Sequence, residues 1–303
     1  MTMTKSADLL APFRLEPRFS ERIWGKPDLK PWYAETGTQE LVGEAWLTGP
    51  DCPIETGPAA SNALKHVFPE YPLLVKMLFP NEKLSVQVHP DDAQARAMGL
   101  ARGKTECWYV LEAVPGAAVA CGLKAGVTVE QVKASALDGS MESLLEMVPV
   151  VAGDMVFVDA GTVHAIGPGV VLLEVQQTCD VTYRLFDYGR PRELHLDAGL
   201  AVIKTKTAAG KIAPREMDGF VRLIEQQYFI VDRFELPSGE VLVPMDGPGC
   251  LVSLCGEGVV IAPGEEDEVE LTAGKAVVVP EGSGSVAVES SGGMTFVRCV
   301  APA

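Results

Sequence analysis

Residues 84–90 read LSVQVHP. In an extended strand, side chains two apart share a face. Ser85, Gln87 and His89 therefore stand in one row, while Leu84, Val86 and Val88 pack on the other side. Facing water, such a row would be unremarkable; facing the inside of a barrel, it is ligand chemistry. Two residues further on extend the set, Glu106 in GKTECWYVL and His164 in GTVHAIG. Two neutral imidazoles, one carboxylate and one amide oxygen suit a divalent metal. With a single anionic ligand the ion keeps net positive charge, which favours Lewis-acid work over a cysteine-rich structural clamp. These ligand types accept zinc, iron, manganese and cobalt alike.

The elements that must position these residues are short β-type runs cut by Gly and Pro: LLVKML, ECWYVL, AAVACGL, DMVFVD, VVLLEVQ and VTYRLFDY. That density of strands predicts an all-β sandwich or barrel. Two segments break the pattern. HPDDAQARAM opens a short helix, and TVEQVKASALDGSMESLLEMV reads as two more, with a Thr128–Gln131 capping box and Ser140 as the second cap. A helical insertion near 91–150 follows. Residues 206–219 lose apolar periodicity and read as a connector, and 220–303 is again β-rich. AGDMVFVDAGTVHAI from Ala152 aligns with AGKAVVVPEGSGSV from Ala273, matching Gly153 with Gly274 and Gly161 with Gly282. His164 becomes Ser285, and no histidine follows Lys204. A duplicated barrel whose second copy has lost its site is the expected organisation.

Composition narrows the classes of function. The chain has 303 residues, enough for two ordinary domains, and a formal net charge of −16. Such a surface repels polyanions and argues against nucleic acid. A small phosphorylated substrate stays compatible, because one or two local cations hold a phosphate. No apolar run reaches membrane-spanning length, and MTMTKSADLLAPFRLEP lacks the apolar core of a signal peptide. Seven cysteines with no C-x-x-C pair suggest reduced thiols and a cytoplasmic setting.

Gly153, Asp159, Gly161 and His164 follow the spacing of the second cupin motif, G-x5-P-x-G-x2-H, with Asp159 in the proline position. Gln87 stands where the first cupin motif has its first histidine. Taken in order, QVHPDD, GKTECWYVL, GTVHAIG and CDVTYRLFDYGR resemble the type I mannose-6-phosphate (phosphomannose) isomerases, in their short bacterial form. The resemblance is strongest over Arg14–Lys204, including ERIWG and GEAW, and weaker beyond. It implies a mainly β bicupin with a small helical insertion, a catalytic domain over 1–205, and a degenerate, metal-free second domain over 220–303. It also implies one zinc ion per chain on Gln87, His89, Glu106 and His164, and interconversion of mannose 6-phosphate and fructose 6-phosphate through an enediol-type intermediate.

That reaction needs a polarising ion, a base that carries a proton between C1 and C2, and a grip on the phosphate. Glu174, Asp180 and Arg184 fall at even positions and can share a strand face. The guanidinium suits an enediolate, and either carboxylate can be the base. By parity with Gln87 and Glu106, Ser85 and Lys104 are the expected phosphate contacts. His66 and His195 read as surface or local packing residues, Cys107 as facing away from Glu106, and Trp24, Trp46 and Trp108 as core, Trp24 with the option of lining the pocket. Two other readings stand beside the isomerase. An iron-dependent cupin oxygenase would show more histidine ligands and no need for Lys104 and Arg184. A non-enzymatic sugar-binding or regulatory bicupin would have no need of an intact ligand set. Oligomeric state and use of unphosphorylated aldoses are left open.

Overall fold

Valine- and leucine-rich runs become strands almost wherever they occur, and the longest helix among the described residues has 10 residues, so the protein is mainly β. The computed structural model describes residues 11–264 and 267–302. Most of the stretch examined for a signal peptide, Met1–Leu10, lies outside the described residues.

The chain opens with β1 (Phe13–Leu15), β2 (Arg18–Lys26), β3 (Val42–Trp46), helix α1 (Leu64–Val67) and β4 (Leu73–Leu78). Next come β5 (Val86–Val88), α2 (Asp92–Ala97), β6 (Glu106–Ala113), β7 (Ala118–Leu123), α3 (Val129–Asp138) and β8 (Leu145–Pro149). The first half ends with β9 (Met155–Val158), β10 (His164–Ile166), β11 (Val170–Gln177), β12 (Tyr183–Phe186) and α4 (Leu196–Val202). Seven strands form one sheet in the order β13-β9-β6-β11-β4-β3-β2, where β13 is Gly210–Ile212. Five form the other, β12-β5-β10-β7-β8.

These two sheets face each other as a barrel. Trp108, Val110, Val156, Val158 and Leu172 from the larger meet Val119, Cys121 and Ile166 from the smaller. Outside the smaller sheet, Val132, Ala136 and Val202 of α3 and α4 cover Val86, Val88 and Ala165. Each fully buried aliphatic side chain here contributes on the order of 1.5–3 kcal/mol.

The second half continues with β14 (Arg215–Glu216), β15 (Val221–Glu225), β16 (Ile230–Leu236), β17 (Gly239–Val243) and β18 (Gly249–Ile261). It closes with β19 (Glu268–Thr272), β20 (Ala276–Val279), β21 (Val286–Ser290) and β22 (Met294–Val300). The 13-residue β18 serves two partnerships. Its first half pairs with β20 and β22, its second with β19 and β21, and the sheet thereby folds around an apolar interior. The two barrels stand back to back. Val75, Cys107, Phe157 and Val175 on the outer face of the seven-stranded sheet pack with Cys250, Val278, Val297 and Cys299.

The repeat seen in the sequence becomes β9 and β20. Gly161 and Gly282 after them take φ of +91° and +89°, a left-handed conformation that strains any residue with a Cβ. Several expected boundaries shift. The first segment does not keep its own N-terminus: Phe13 pairs with Val278, adding β1 to the second barrel. Residues 206–219 are no bare connector, since β13 completes the first barrel on β9 and β14 opens the second on β15. A sheet edge offers unpaired N–H and C=O groups to any nearby extended chain, whatever its apolar pattern. The helical insertion near 91–150 is interrupted by β6 and β7, and β6 carries Glu106. The Thr128–Gln131 capping box forms, whereas Ser140 makes no cap bond because its hydroxyl donates to Asp138 Oδ1 at 2.6 Å.

Candidate metal centre

Sheet register gathers the expected ligands from distant parts of the chain. His164 on β10 lies opposite Gln87 on β5, and Gln87 lies opposite Arg184 on β12. Glu106, at the start of β6, faces inward from the other sheet. His89 Nε2 stands 3.7 Å from Glu106 Oε2, and His164 Nε2 stands 3.4 Å from Glu106 Oε1. The ligand atoms of the three residues lie within 4.8 Å of one another, and all three residues are buried.

Backbone carbonyls orient both imidazoles. His89 Nδ1–H donates to Val181 O at 2.8 Å and His164 Nδ1–H to Thr162 O at 2.9 Å. Each Nε2 lone pair is thereby turned toward the shared space, the usual way a protein sets the tautomer of a metal ligand. Burial lowers both pKa values, that of His164 to about 4, so both rings are neutral at pH 7. His89 Nε2 and both Glu106 carboxylate oxygens are buried with no well-directed hydrogen bond. Buried polar atoms left in that condition cost stability unless something else satisfies them. Two imidazole lone pairs and a carboxylate aimed at one point fit a divalent cation.

Gln87 borders this group, with its Nε2 3.2 Å from His164 Nε2 and its Oε1 accepting from Ser85 Oγ at 3.3 Å. Ligation through Oε1 requires the amide to turn over, and amide orientation is a matter of the hydrogen-bond network.

Gln87 and Lys104, which touch this cluster, line a 470 Å³ cavity. Its walls differ. Trp24, Leu78, Leu84 and Ile166 line one side, and charged groups line the rest. Lys104 Nζ lies 3.0 Å from Glu106 Oε2 and is only 3% exposed. Burial works against its charge, but Glu106, Glu174 and Asp180 outweigh it and raise the pKa. Glu174 accepts from Trp108 Nε1 at 3.3 Å and sits 3.7 Å from Lys76 Nζ. Burial and the neighbouring Glu106 raise its pKa. Asp180 stands at the mouth, half exposed and 2.9 Å from Lys76 Nζ. Burial of its carboxylate is outweighed by Lys76 and Lys104, which lower its pKa.

Arg184 reaches the same cavity. Its Nη1 donates to Glu193 O at 2.7 Å, while its buried Nε has no partner. Arg192 lines the cavity beside it, held by Asp187 through Nε at 2.6 Å and Nη2 at 2.7 Å. Burial and the neighbouring Arg192 lower the Arg184 pKa, the signature of cations short of an anion.

Six of the nine expected site residues, Ser85, Gln87, Lys104, Glu174, Asp180 and Arg184, line this cavity, and His89, Glu106 and His164 form the adjoining buried group. Sequence reasoning passed over Lys76, Arg22, Glu44 and Arg192. Lys76 had a signal, the lone charge within LLVKML. A buried lysine needs anionic partners, and strand register supplies one in Glu174, directly opposite. Arg22 and Glu44 lie in ERIWG and GEAW and pair at 2.9 Å. His66 is exposed, and His195 Nδ1 accepts from Arg184 N at 3.2 Å. Cys107 faces the inter-barrel core, and Trp24 lines the pocket.

No protein-family model matches the sequence. Among curated proteins it is 33% identical to the mannose-6-phosphate isomerase ManA of Bacillus subtilis (strain 168), covering 95% of this chain and 98% of that one. It is 33% identical to the mannose-6-phosphate isomerase of Streptococcus mutans serotype c, over 82% and 86% of the two chains. Among solved structures, the mannose 6-phosphate isomerase from Bacillus subtilis superposes with a TM-score of 0.84 at 27% identity, covering 95% of this chain and 99% of that one. The chain belongs to the mannose-6-phosphate isomerase family.

Proposed function

We propose that the protein interconverts mannose 6-phosphate and fructose 6-phosphate, using one zinc ion held by His89, Glu106, His164 and Gln87. The observation that carries this reading is the buried His89–Glu106–His164 group, its imidazole nitrogens and carboxylate oxygens gathered on one space, beside a charged cavity lined by Gln87, Lys104 and Glu174. Once bound, zinc supplies a Lewis acid that polarises the sugar's carbonyl and hydroxyl oxygens.

The chain's own residues do the rest. Glu174 is the better-supported base: it is buried at the cavity wall, and burial and Glu106 raise its pKa, which makes its carboxylate a stronger proton acceptor. Asp180, exposed and held ionised by lysines, positions Lys76 against Glu174. Lys104, first expected at the phosphate, is committed to Glu106, and we assign it to the developing negative charge at the reacting carbons. The phosphate falls to Arg184 and Arg192, with the Ser85 hydroxyl on the same wall. A net charge of −16 disfavours polyanions, no helix among the described residues is long and apolar enough to cross a membrane, and the seven free thiols support a cytoplasmic setting. Within this reading, the first barrel is catalytic and the second a metal-free relic of duplication.

The test is conversion of mannose 6-phosphate with and without chelation, followed by add-back of single metals. Activity lost on chelation and best restored by zinc supports the assignment. Folded protein that shows no turnover with any metal sinks it in favour of a binding protein.

A further inference from the structure

Among the described residues the second barrel shows no His, Cys, Asp or Glu group that could hold a metal, yet one of its side chains reaches the segment that presents two residues of the centre. Tyr228 sits in the turn between β15 and β16, next to Phe229, which is fully buried in the core between the barrels. That anchor aims the phenol across the boundary, where Tyr228 Oη donates to Asp92 Oδ2 at 2.9 Å. The other oxygen of Asp92 accepts from Gly103 N at 2.7 Å and from Gln177 Nε2 at 3.0 Å. Gln177, 4% exposed, turns its Oε1 to Thr105 N at 2.9 Å. Thr105 lies between Lys104 and Glu106, and Lys104 N donates to Pro90 O, one residue after His89. There is no slack in this loop: a Cβ on Gly103 would lie 2.5 Å from the Asp91 carbonyl carbon.

We infer that Tyr228, Asp92 and Gln177 form a positioning relay through which the second barrel fixes the Gly103–Glu106 segment, and with it Glu106 and Lys104. The relay gives the second barrel a part in the centre: it supplies a rigid outside reference for the strand that carries Glu106. Asp92 is the hub, since one carboxylate joins a phenol from the second barrel, a backbone N–H of the Glu106 segment and an amide from β11. Outer partners of this kind usually govern metal affinity and activity by about 10–100-fold. The inference rests on the metal-centre reading above.

The experiment measures zinc affinity directly, by competition with a chromogenic chelator, alongside KM and kcat for mannose 6-phosphate. Tyr228→Phe removes one hydrogen bond and little volume, and is expected to weaken zinc binding about tenfold, or to lower kcat by that factor with KM unchanged. Asp92→Ala is expected to do so more strongly. Tyr33→Phe is the control, because Tyr33 Oη donates to Gly274 O across the same barrel boundary, away from the Glu106 segment. It is expected to lower Tm while leaving zinc affinity within about twofold. If Tyr228→Phe and Asp92→Ala bind zinc and turn over as the unaltered protein does, or act only through Tm as Tyr33→Phe does, the relay is overturned. Unaltered protein that takes up no zinc overturns both the relay and the metal centre beneath it.

Discussion

The two barrels can be compared position by position, because register carries the alignment beyond the short repeat. Val156 and Val158 correspond to Val277 and Val279, all pointing inward. Across from them stand Trp108 and Glu106 in the first barrel, Leu251 and Gly249 in the second. One strand further, Glu174 is matched by Arg298, and beyond that Lys76 by Asp232. The position of Glu106 is thus taken by Gly249, whose missing Cβ would fall 2.3 Å from Cys299 O. Phe234, Leu251, Val277 and Phe296 fill the interior that the first barrel leaves open. The ion pair persists with its signs exchanged: Arg298 Nη2 meets Asp232 Oδ2 at 2.5 Å, and Arg222 holds the other oxygen at 2.7 Å. A barrel of this shape needs its interior either packed or paired, and a site arises only where polar side chains converge on space that neighbours decline to fill.

Removing a ligand should break the comparison most sharply. His164→Ala is expected to lower turnover by on the order of 10³-fold or more, because the polarising ion is lost. Ser285→Ala, at the matching position, is expected to leave turnover within about twofold. Equal effects in steady-state assays would erase the functional distinction between the barrels.

The exchanged ion pairs offer a second contrast. Arg298→Met removes one of the two arginines that hold the fully buried Asp232, leaving Arg222, and should cost about 1.5–3 kcal/mol of stability in urea unfolding with zinc affinity intact. Lys76→Met, its counterpart facing the cavity, should instead mark turnover, by about 10²-fold. A reversed pattern would make the first pair structural and the second functional.

Acid sensitivity sharpens the same distinction more gently. In the zinc-free protein, the unfolded His164 imidazole takes up a proton near pH 6.5, while the folded one resists to about 4. Stability is therefore complete above 6.5 and falls as pH drops toward 4, by about 3 kcal/mol for this residue. His164→Leu should flatten that limb in urea unfolding across pH. The second barrel has no histidine to contribute one. A limb unchanged by the substitution would mean that the ring is not buried neutral.

Much of this was legible in local pattern. Alternation placed Ser85, Gln87 and His89 on one inward face, and the Gly153–His164 spacing located the turn that delivers the last histidine. The Thr128 capping box was readable because both of its bonds lie within four residues. Lys76 was visible only as an anomaly. Its partners Glu174 and Asp180 lie about a hundred residues away, and strand periodicity carries no information about which strands become neighbours. The same gap hid β1, whose apolar FRL segment joins the far barrel, and Tyr228, which nothing local connects to Asp92.

By itself, then, the sequence determined the strand-rich class, the inward row of Ser85, Gln87 and His89, the short internal repeat and the absence of histidine after Lys204. Those are properties of composition and short-range spacing. Only the tertiary structure decided that Lys104 is spent on Glu106, that Arg192 joins Arg184, and that the second barrel reaches the Glu106 segment through Tyr228. Each of these depends on sheet register and on burial, which sets the strength of every charge in the cavity. Both arise between residues far apart in the chain.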